Sequence, residues 1–495
     1  MGETIDLVYF YDVIVIGAGI SGVNTGYRLQ TQHPDRSYVI LEGRANMGGT
    51  WDLFKYPGIR SDSDLQSYGF PWRPWSKDNP LATGESILTY LKESAELYGI
   101  DKKMKFRHKV KKLCWLSRQQ NWTLTVESDD GEKTFCSPIV VLGTGYYDYD
   151  KPLEATIPGI ENFKGQVIHP QFWPKDLDYA DKKVAVIGSG ATAITLIPAL
   201  AEKAEKVVMV QRSPSYVVAL PNRIGKPGWF MSLLPMWMRH TINRYRFIIR
   251  GLLARRRFST NIDQMKDFLM KITIAQLPKH IPYDPHFKPR YNPWDQRMCL
   301  CPDGDFFKAL RNGKADVATG IIKTVSETSI QLESGQLIDA DIIVTATGLR
   351  MKYGGNADFY VDGEKIIFGE KFFWRGVMIQ DLPNLMIVRG YAKASWTLGA
   401  DATAFFVCRL ISHLKKNKLT CGVPRIANPD AVKPRGATTS GVMGLTSTYI
   451  KAALHRVPKT SEMAPWADRK GYLYDLWDAK YSSLDEGMQF TKAVA

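Results

Sequence analysis

Two glycine runs carry the first chemistry this sequence can do. Gly17-Ala-Gly19-Ile-Ser-Gly22 follows the β-branched run Asp12-Val-Ile-Val-Ile16, and Gly188-Ser-Gly190-Ala-Thr192-Ala193 follows Lys183-Val-Ala-Val-Ile187. A buried strand, a glycine turn and a helix, in that order, hold a dinucleotide pyrophosphate. The first glycine permits the tight turn, and the second lets the backbone approach the phosphates. The third position, Gly22 or Ala193, lets helix and strand pack closely. The helix then points unpaired N–H groups at the anion. After the first run, the strand Ser37-Tyr-Val-Ile-Leu41 ends in Glu42. That acid lies about twenty residues past the last glycine, where a carboxylate accepts from ribose hydroxyls. After the second run, Lys206-Val-Val-Met-Val210 ends in Gln211-Arg212-Ser213, with no acid. Basic and hydroxyl groups there suit a ribose 2′-phosphate, so the second nucleotide is read as NADP.

A further loop follows the first unit: Met47-Gly48-Gly49-Thr50-Trp51-Asp52, then Tyr56-Pro57-Gly58-Ile-Arg60-Ser-Asp62-Ser-Asp64. It reads as non-helical and is long for a plain connection. A second phosphate-contacting loop is what the larger FAD needs, which assigns Gly49, Thr50, Trp51 and Asp62 to that cofactor. FAD first and NADPH second imply hydride transfer from nicotinamide to flavin. No Cys-x-x-Cys pair stands beside either run, which argues against a disulfide reductase and a structural zinc. Oxygen chemistry needs no protein nucleophile, because a flavin carries it. No metal site is expected.

The elements that must position these residues form an α/β chain with two Rossmann-like dinucleotide-binding domains, for FAD and NADP, and a helical insertion. The expected divisions are 1–150 for the first part of the FAD domain and 151–224 for the first part of the NADP domain. A helical insertion then covers 225–297, the NADP domain resumes over 298–348, and 349–495 returns to the FAD domain and ends in a tail. Strands are predicted at 106–116, 121–127 and 134–142, with a hairpin turn at Asp129-Asp-Gly131. Within the insertion, helices are predicted at 229–238, 241–256 and 261–277. The tail is predicted helical at 401–414 and again from 472 to 491. Cys299-Leu-Cys301 reads as a strand with buried thiols.

Composition narrows the partners. The 495 residues are 44% hydrophobic and 23% charged, with a formal charge of +15. That is globular, and the excess of basic residues is spread widely apart from Arg255-Arg256-Arg257. No zinc-finger spacing or RNA-binding signature accompanies it, so nucleic acid is not expected. The start, Met1-Gly-Glu-Thr-Ile-Asp, is polar and reads as no signal peptide; with scattered cysteines this predicts a cytoplasmic protein. No apolar run approaches the ~18 residues that span a bilayer. The basic apolar faces of the insertion suit a membrane surface, but the plainer expectation is a helical subdomain lining a substrate pocket.

Between the two glycine runs lies Phe163-Lys-Gly165-Gln-Val-Ile-His169-Pro170-Gln-Phe-Trp173-Pro174. Read alone, it is a rigid linker with a histidine. It also matches every fixed position of F-x-G-x-x-x-H-x-x-x-W-[P/D], just before the second glycine run. On that motif, and on Gly48-Gly-Thr-Trp-Asp-Leu-Phe, Tyr291-Asn-Pro-Trp-Asp-Gln-Arg and Ala394-Ser-Trp-Thr-Leu, the chain resembles the type I Baeyer–Villiger monooxygenases. The resemblance runs from about Asp12 to Leu410.

The resemblance implies that reduced flavin traps oxygen as a C4a-peroxide, which inserts oxygen next to a ketone carbonyl to give an ester or lactone. Sulfides or thioamides are implied as further substrates. Arg297 matches the family's catalytic arginine, and Asp62 matches the acid beside it. NADP+ is expected to stay bound after hydride transfer. Trp396 resembles an aromatic near the substrate, and His169 a hinge residue rather than a general base. Gln296 departs from the lysine that several relatives carry before the arginine. The alternative is a flavin monooxygenase that hydroxylates nitrogen or sulfur, which has its own variant of the motif. A non-catalytic redox sensor is a remoter alternative, and two complete glycine runs plus a candidate arginine argue against it.

Overall fold

The computed structural model describes residues 7–225, 229–435 and 448–492. The polar start read from Met1 to Asp6, and residues 436–447 and 493–495 of the tail, lie outside them. In chain order, the elements that carry the argument are β1 (Val13–Ile16), α1 (Ile20–Gln32), β2 (Tyr38–Leu41), β3 (Val140–Leu142) and β4 (Gln166–Ile168). Then come β5 (Lys183–Ile187), α2 (Ala191–Leu200), β6 (Lys206–Gln211), α3 (Met236–Thr260), β7 (Cys299–Pro302) and β8 (Ala315–Thr319). β9 (Ile342–Thr345), β10 (Leu385–Ile387) and α4 (Trp396–Lys416) complete the set.

The chain divides into two units. The first comprises Met1–Asp52, Ile87–Asp150 and Met351–Ala495, and the second Leu53–Ser86 and Lys151–Arg350. In the first unit, β10, β3, β1 and β2 run parallel and adjacent inside a seven-stranded sheet. All four residues of β1 and of β2 are buried. Continuous apolar runs of this kind belong to strands covered on both faces. A six-stranded sheet packs beside it around Trp115, Trp122 and Phe135. In the second unit, a five-stranded parallel sheet has the order β8-β6-β5-β9-β4. Its core holds Ala185, Ile187, Val210 and Ile343. Each unit therefore presents a glycine turn at the carboxyl end of a central strand, where open parallel sheets bind ligands.

Several elements differ from the sequence reading. The strand expected over 134–142 is two strands in two sheets: Gly131–Ser137 joins the six-stranded sheet and β3 joins the seven-stranded one. Pro138 separates them, because proline has no N–H for a ladder. The loop after Gly49 contains one helical turn, Thr50–Leu53. The helices expected at 229–238 and 241–256 are instead a short Trp229–Leu233 turn and one long α3. The break falls at Pro235, which caps α3 and begins it rather than ending it. The tail helix stops at Tyr481, and Met488–Lys492 is a strand paired antiparallel with Leu419–Pro424. Gly487, at φ +69°, makes the turn into that strand.

Residues 53–86 cluster with the second unit rather than continuing the first over 1–150. Gly58, at φ +74°, explains part of this: a Cβ there would lie 2.8 Å from the Thr195 carbonyl on α2. Tyr56 shares a hydrogen bond with Thr192 on the same helix. The buried Arg244 guanidinium of α3 donates to the carbonyls of Gln66 (3.2 Å) and Gly69 (2.6 Å). Among the described residues, no helix is long and apolar enough to cross a membrane.

Candidate active site and nucleotide cradles

The first cradle forms where β1 turns into α1. Gly17 sits at φ +104°, a conformation that favours glycine, and a Cβ would meet the Gly143 carbonyl oxygen at 2.8 Å. At Gly22 a Cβ would fall 2.0 Å from the Gly17 carbonyl oxygen, so the helix rests directly on its own entry turn. α1 begins after Gly19 with no side-chain cap and no acid in its first turn. Its leading N–H groups are thus left for an anion. A Cβ on Gly19 would lie 3.4 Å from the Gly49 Cα, which brings the second loop against the helix end. Glu42 closes the cradle at the end of β2. Its oxygens accept from the N–H groups of Ala18 (2.8 Å) and Arg44 (3.0 Å). Burial pushes the carboxyl pKa up, and those two amides oppose the rise.

One cleft in this unit is lined by Gly17, Gly19, Glu42, Gly49, Gly143 and Tyr147 among others. Three glycine backbones, an uncapped helix end and a carboxylate at the second strand are the donor set an FAD pyrophosphate and ribose require. Thr50 shares a 2.6 Å hydrogen bond with the Tyr147 hydroxyl, and Trp51 is buried. The residues present therefore fit the cofactor.

Sequence reasoning missed part of this wall. Tyr147 and Tyr149 stack at 4.9 Å and line the cleft, and Arg44 donates to the Gly49 carbonyl (3.2 Å) and to Asp52 (2.7 Å). The signal was the run Tyr146-Tyr-Asp-Tyr-Asp150, directly after the glycines of β3.

The second cradle forms between β5 and α2. Gly188 is at φ +137°, and a Cβ there would lie 2.3 Å from the Ala346 carbonyl oxygen. Gly190 differs: its Cβ would meet nothing within 4 Å. The protein's own packing does not require that glycine. Ala193 is fully buried under the helix. The Thr192 side chain bonds to Tyr56 rather than pointing into open space.

Beyond β6, the Gln211 amide turns inward and donates to the His286 carbonyl (2.7 Å) and Thr319 (3.0 Å). Arg212 is exposed at the strand's end. The Ser213 carbonyl accepts from Ser189 at 2.9 Å, which ties this corner to the glycine turn. These residues fit a 2′-phosphorylated nucleotide. Arg212→Ala is expected to weaken NADPH by about 10- to 100-fold, the value of a charge-assisted hydrogen bond, with NADH little changed. Titrating flavin reduction with both coenzymes measures this, and an equal loss for the two would place the phosphate elsewhere.

The same unit brings Arg297 to Asp62, with Nη1 3.6 Å from Oδ2 and each side chain about one-third exposed, at 32% and 35%. Arg297 precedes β7, which pairs with Val217–Leu220. Arg60 forms a second ion pair with Asp305, 245 residues further along the chain. The Asp62 loop is held by Ser61, whose N–H donates to the Ala82 carbonyl at 2.9 Å. Burial pushes the thiols of Cys299 and Cys301 up to about 12, so neither is a nucleophile at neutral pH.

The 163–174 stretch is an edge strand and turn of this unit's sheet rather than a free linker. β4 pairs with β9, and Gly165 permits it: a Cβ would lie 2.2 Å from the Asp341 carbonyl oxygen and 2.6 Å from the Phe163 ring. Phe163 is buried. The His169 Nδ1 accepts from the Gln171 N–H at 3.2 Å. Burial lowers the ring's pKa below its ordinary value, so the ring is neutral at pH 7. Trp173 is half-buried and Pro174 exposed.

Trp396 belongs to the first unit. Its Nε1 donates to Ser21 at 3.0 Å, and its ring stacks on Tyr146 at 5.2 Å. These are packing contacts that join α4 to α1. The structure thus groups Gly17, Gly19, Gly22, Glu42, Gly49, Thr50, Trp51 and Trp396 in one unit. It groups Asp62, Arg297, the second glycine run, Arg212, Ser213 and the 163–174 stretch in the other.

Comparison with known proteins places the chain in a family. Residues 11–378 match the flavin-binding monooxygenase-like (FMO-like) family. The chain is 42% identical to the FAD-containing monooxygenase EthA of Mycolicibacterium smegmatis, over 97% of each chain. Its fold is similar to that of an oxidised steroid monooxygenase bound to NADP, with a TM-score of 0.75 at 20% identity, covering 98% of this chain and 100% of that one. It is likewise similar to a cyclohexanone-bound cyclohexanone monooxygenase, with a TM-score of 0.74 at 19% identity over 98% and 100% of the two chains. The chain belongs to the flavin-binding monooxygenase-like family.

Proposed function

We propose that this monooxygenase is of Baeyer–Villiger type, converting a ketone to an ester or lactone with NADPH and O2, and that it also oxidises sulfur in sulfides or thioamides. When bound, FAD accepts hydride from NADPH and supplies the activated oxygen. The chain's own residues bind and orient. The α1 end, Gly19 and Gly49 hold the pyrophosphate, and Glu42 accepts from the ribose. Gly190 and Arg212 seat the second nucleotide.

The observation that carries the reading is the Arg297–Asp62 pair in a chain with the complete 163–174 motif. A carbonyl substrate gains negative charge on its oxygen as it is attacked. A guanidinium keeps its charge when desolvated and stabilises that oxygen. Asp62 positions the guanidinium and balances it in the resting site. A soft sulfur or nitrogen nucleophile develops no such oxyanion, so Arg297 favours the ketone reading over simple heteroatom hydroxylation. His169, neutral and turned to backbone, acts as a structural joint rather than a general base. The six cysteines, all free, suit a reducing compartment, and the proposed location is the cytoplasm.

The test is a product-identified screen. Purified holoenzyme with NADPH is offered linear, cyclic and aryl ketones beside sulfides, and products are identified by mass. Esters or lactones are expected. Sulfoxides alone, with every ketone untouched, would overturn the carbonyl assignment.

A further inference from the structure

Helix α3 has two faces that disagree. Its inner face is fixed to the second unit by the buried Ile248 and by Arg244, which holds the Gln66 and Gly69 carbonyls. The opposite face is apolar and exposed. Ile242, Tyr245, Ile249 and Leu253 recur at intervals of three and four, which puts them on one stripe, and Leu253 is 61% exposed. Just before and at the start of α3, Leu233, Met236 and Trp237 are also exposed, Trp237 by 69%. An exposed apolar stripe of this kind marks an interaction site.

Charge identifies the partner. Arg239, Arg246, Arg250 and Arg257 recur at intervals of seven, four and seven, so they form a row alongside the apolar stripe. Between Tyr216 and Asp263 the sequence has nine Lys or Arg residues and no acid. A protein partner's apolar groove would not require so one-sided a charge. An anionic lipid surface does, since basic residues near it attract its headgroups while the stripe enters the acyl boundary.

We propose that the exposed face of α3, with the segment leading into it, docks on an anionic lipid bilayer as an in-plane amphipathic helix. The arginine row contacts lipid phosphates, and Ile242, Ile249 and Leu253 sit below them. The docking stands apart from the reaction assigned above.

The test is co-sedimentation of the full-length FAD-loaded enzyme with two kinds of vesicle: phosphatidylcholine alone, and phosphatidylcholine mixed with phosphatidylglycerol. Binding is expected only to the mixed vesicles and should weaken as salt screens the charges. The double variant Arg246→Glu/Arg250→Glu should lower partition by about tenfold or more. The variant Ile249→Ser/Leu253→Ser should also lose binding, with flavin content and NADPH oxidation unchanged in both. The proposal is overturned if the wild-type enzyme stays in the supernatant with both vesicles, or binds both equally, or if neither variant alters binding. It is equally overturned if the enzyme ignores vesicles but self-associates and Ile249→Ser/Leu253→Ser disperses it, since the face would then be a contact between copies of this chain.

Discussion

Arg297→Ala is expected to abolish ketone oxygenation while flavin reduction by NADPH continues. Removing one preorganised donor to a developing oxyanion costs about 10²–10³-fold in turnover. Here a full cation is removed, so the upper end is expected. Asp62, 3.6 Å away, would then be a carboxylate without its counter-ion, which adds repulsion toward negative charge on the substrate. Stopped-flow reduction should change by no more than a few-fold, because no hydride-binding residue is touched. Oxygen consumption should continue as uncoupled turnover. Arg297→Lys restores charge but not the planar fork, so partial recovery is the expected companion result. Full lactone formation by the alanine variant would remove Arg297 from the mechanism.

Gly22→Ala should strip the flavin. A methyl group at that position would lie 2.0 Å from the Gly17 carbonyl oxygen, a backbone atom, and its own direction is fixed by the helix backbone. Neither can rotate away, so α1 must move off β1. Overpacking typically costs about 1–3 kcal/mol, and here the displaced element is the one that would hold the pyrophosphate. The purified variant should be soluble but colourless, or lost to aggregation. The comparator is Gly190→Ala in the second cradle. Its Cβ meets only open space, so that variant should fold, stay yellow and lose affinity for NADP(H). The flavin-to-protein absorbance ratio separates the two cases. A yellow, fully loaded Gly22→Ala protein would show that the turn has slack that its geometry denies.

Those two glycine turns were readable in advance for a physical reason. A buried parallel strand is a continuous apolar run, and a dinucleotide turn needs small residues at fixed intervals, so each unit writes its signature locally. The Arg297–Asp62 pairing was not local. Its partners are far apart in sequence, and only resemblance to a family joined them before the fold did. Tyr147 and Tyr149 were missed because a tyrosine that lines a cleft has the same letter as one that fills a core. The break at Pro138 was overlooked because the apolar pattern runs through it, although the missing N–H was in plain view. The attachment of residues 53–86 to the second unit depends on Gly58, Tyr56 and the carbonyls that Arg244 grips, none of which announces a distant partner.

That attachment has a consequence for anyone who would cut or recombine this enzyme. The chain passes between its two units at four places, after Asp52, Ser86, Asp150 and Arg350. Neither unit is therefore a contiguous fragment. A chimera that exchanged the second unit by swapping 151–350 alone would keep a foreign strip of 34 residues, Leu53–Ser86, that carries Asp62. The transplanted Arg297 would then face an acid loop shaped for another scaffold. Two segments must travel together for the exchange to preserve the pair, and modular recombination of this enzyme has to respect that interleaving.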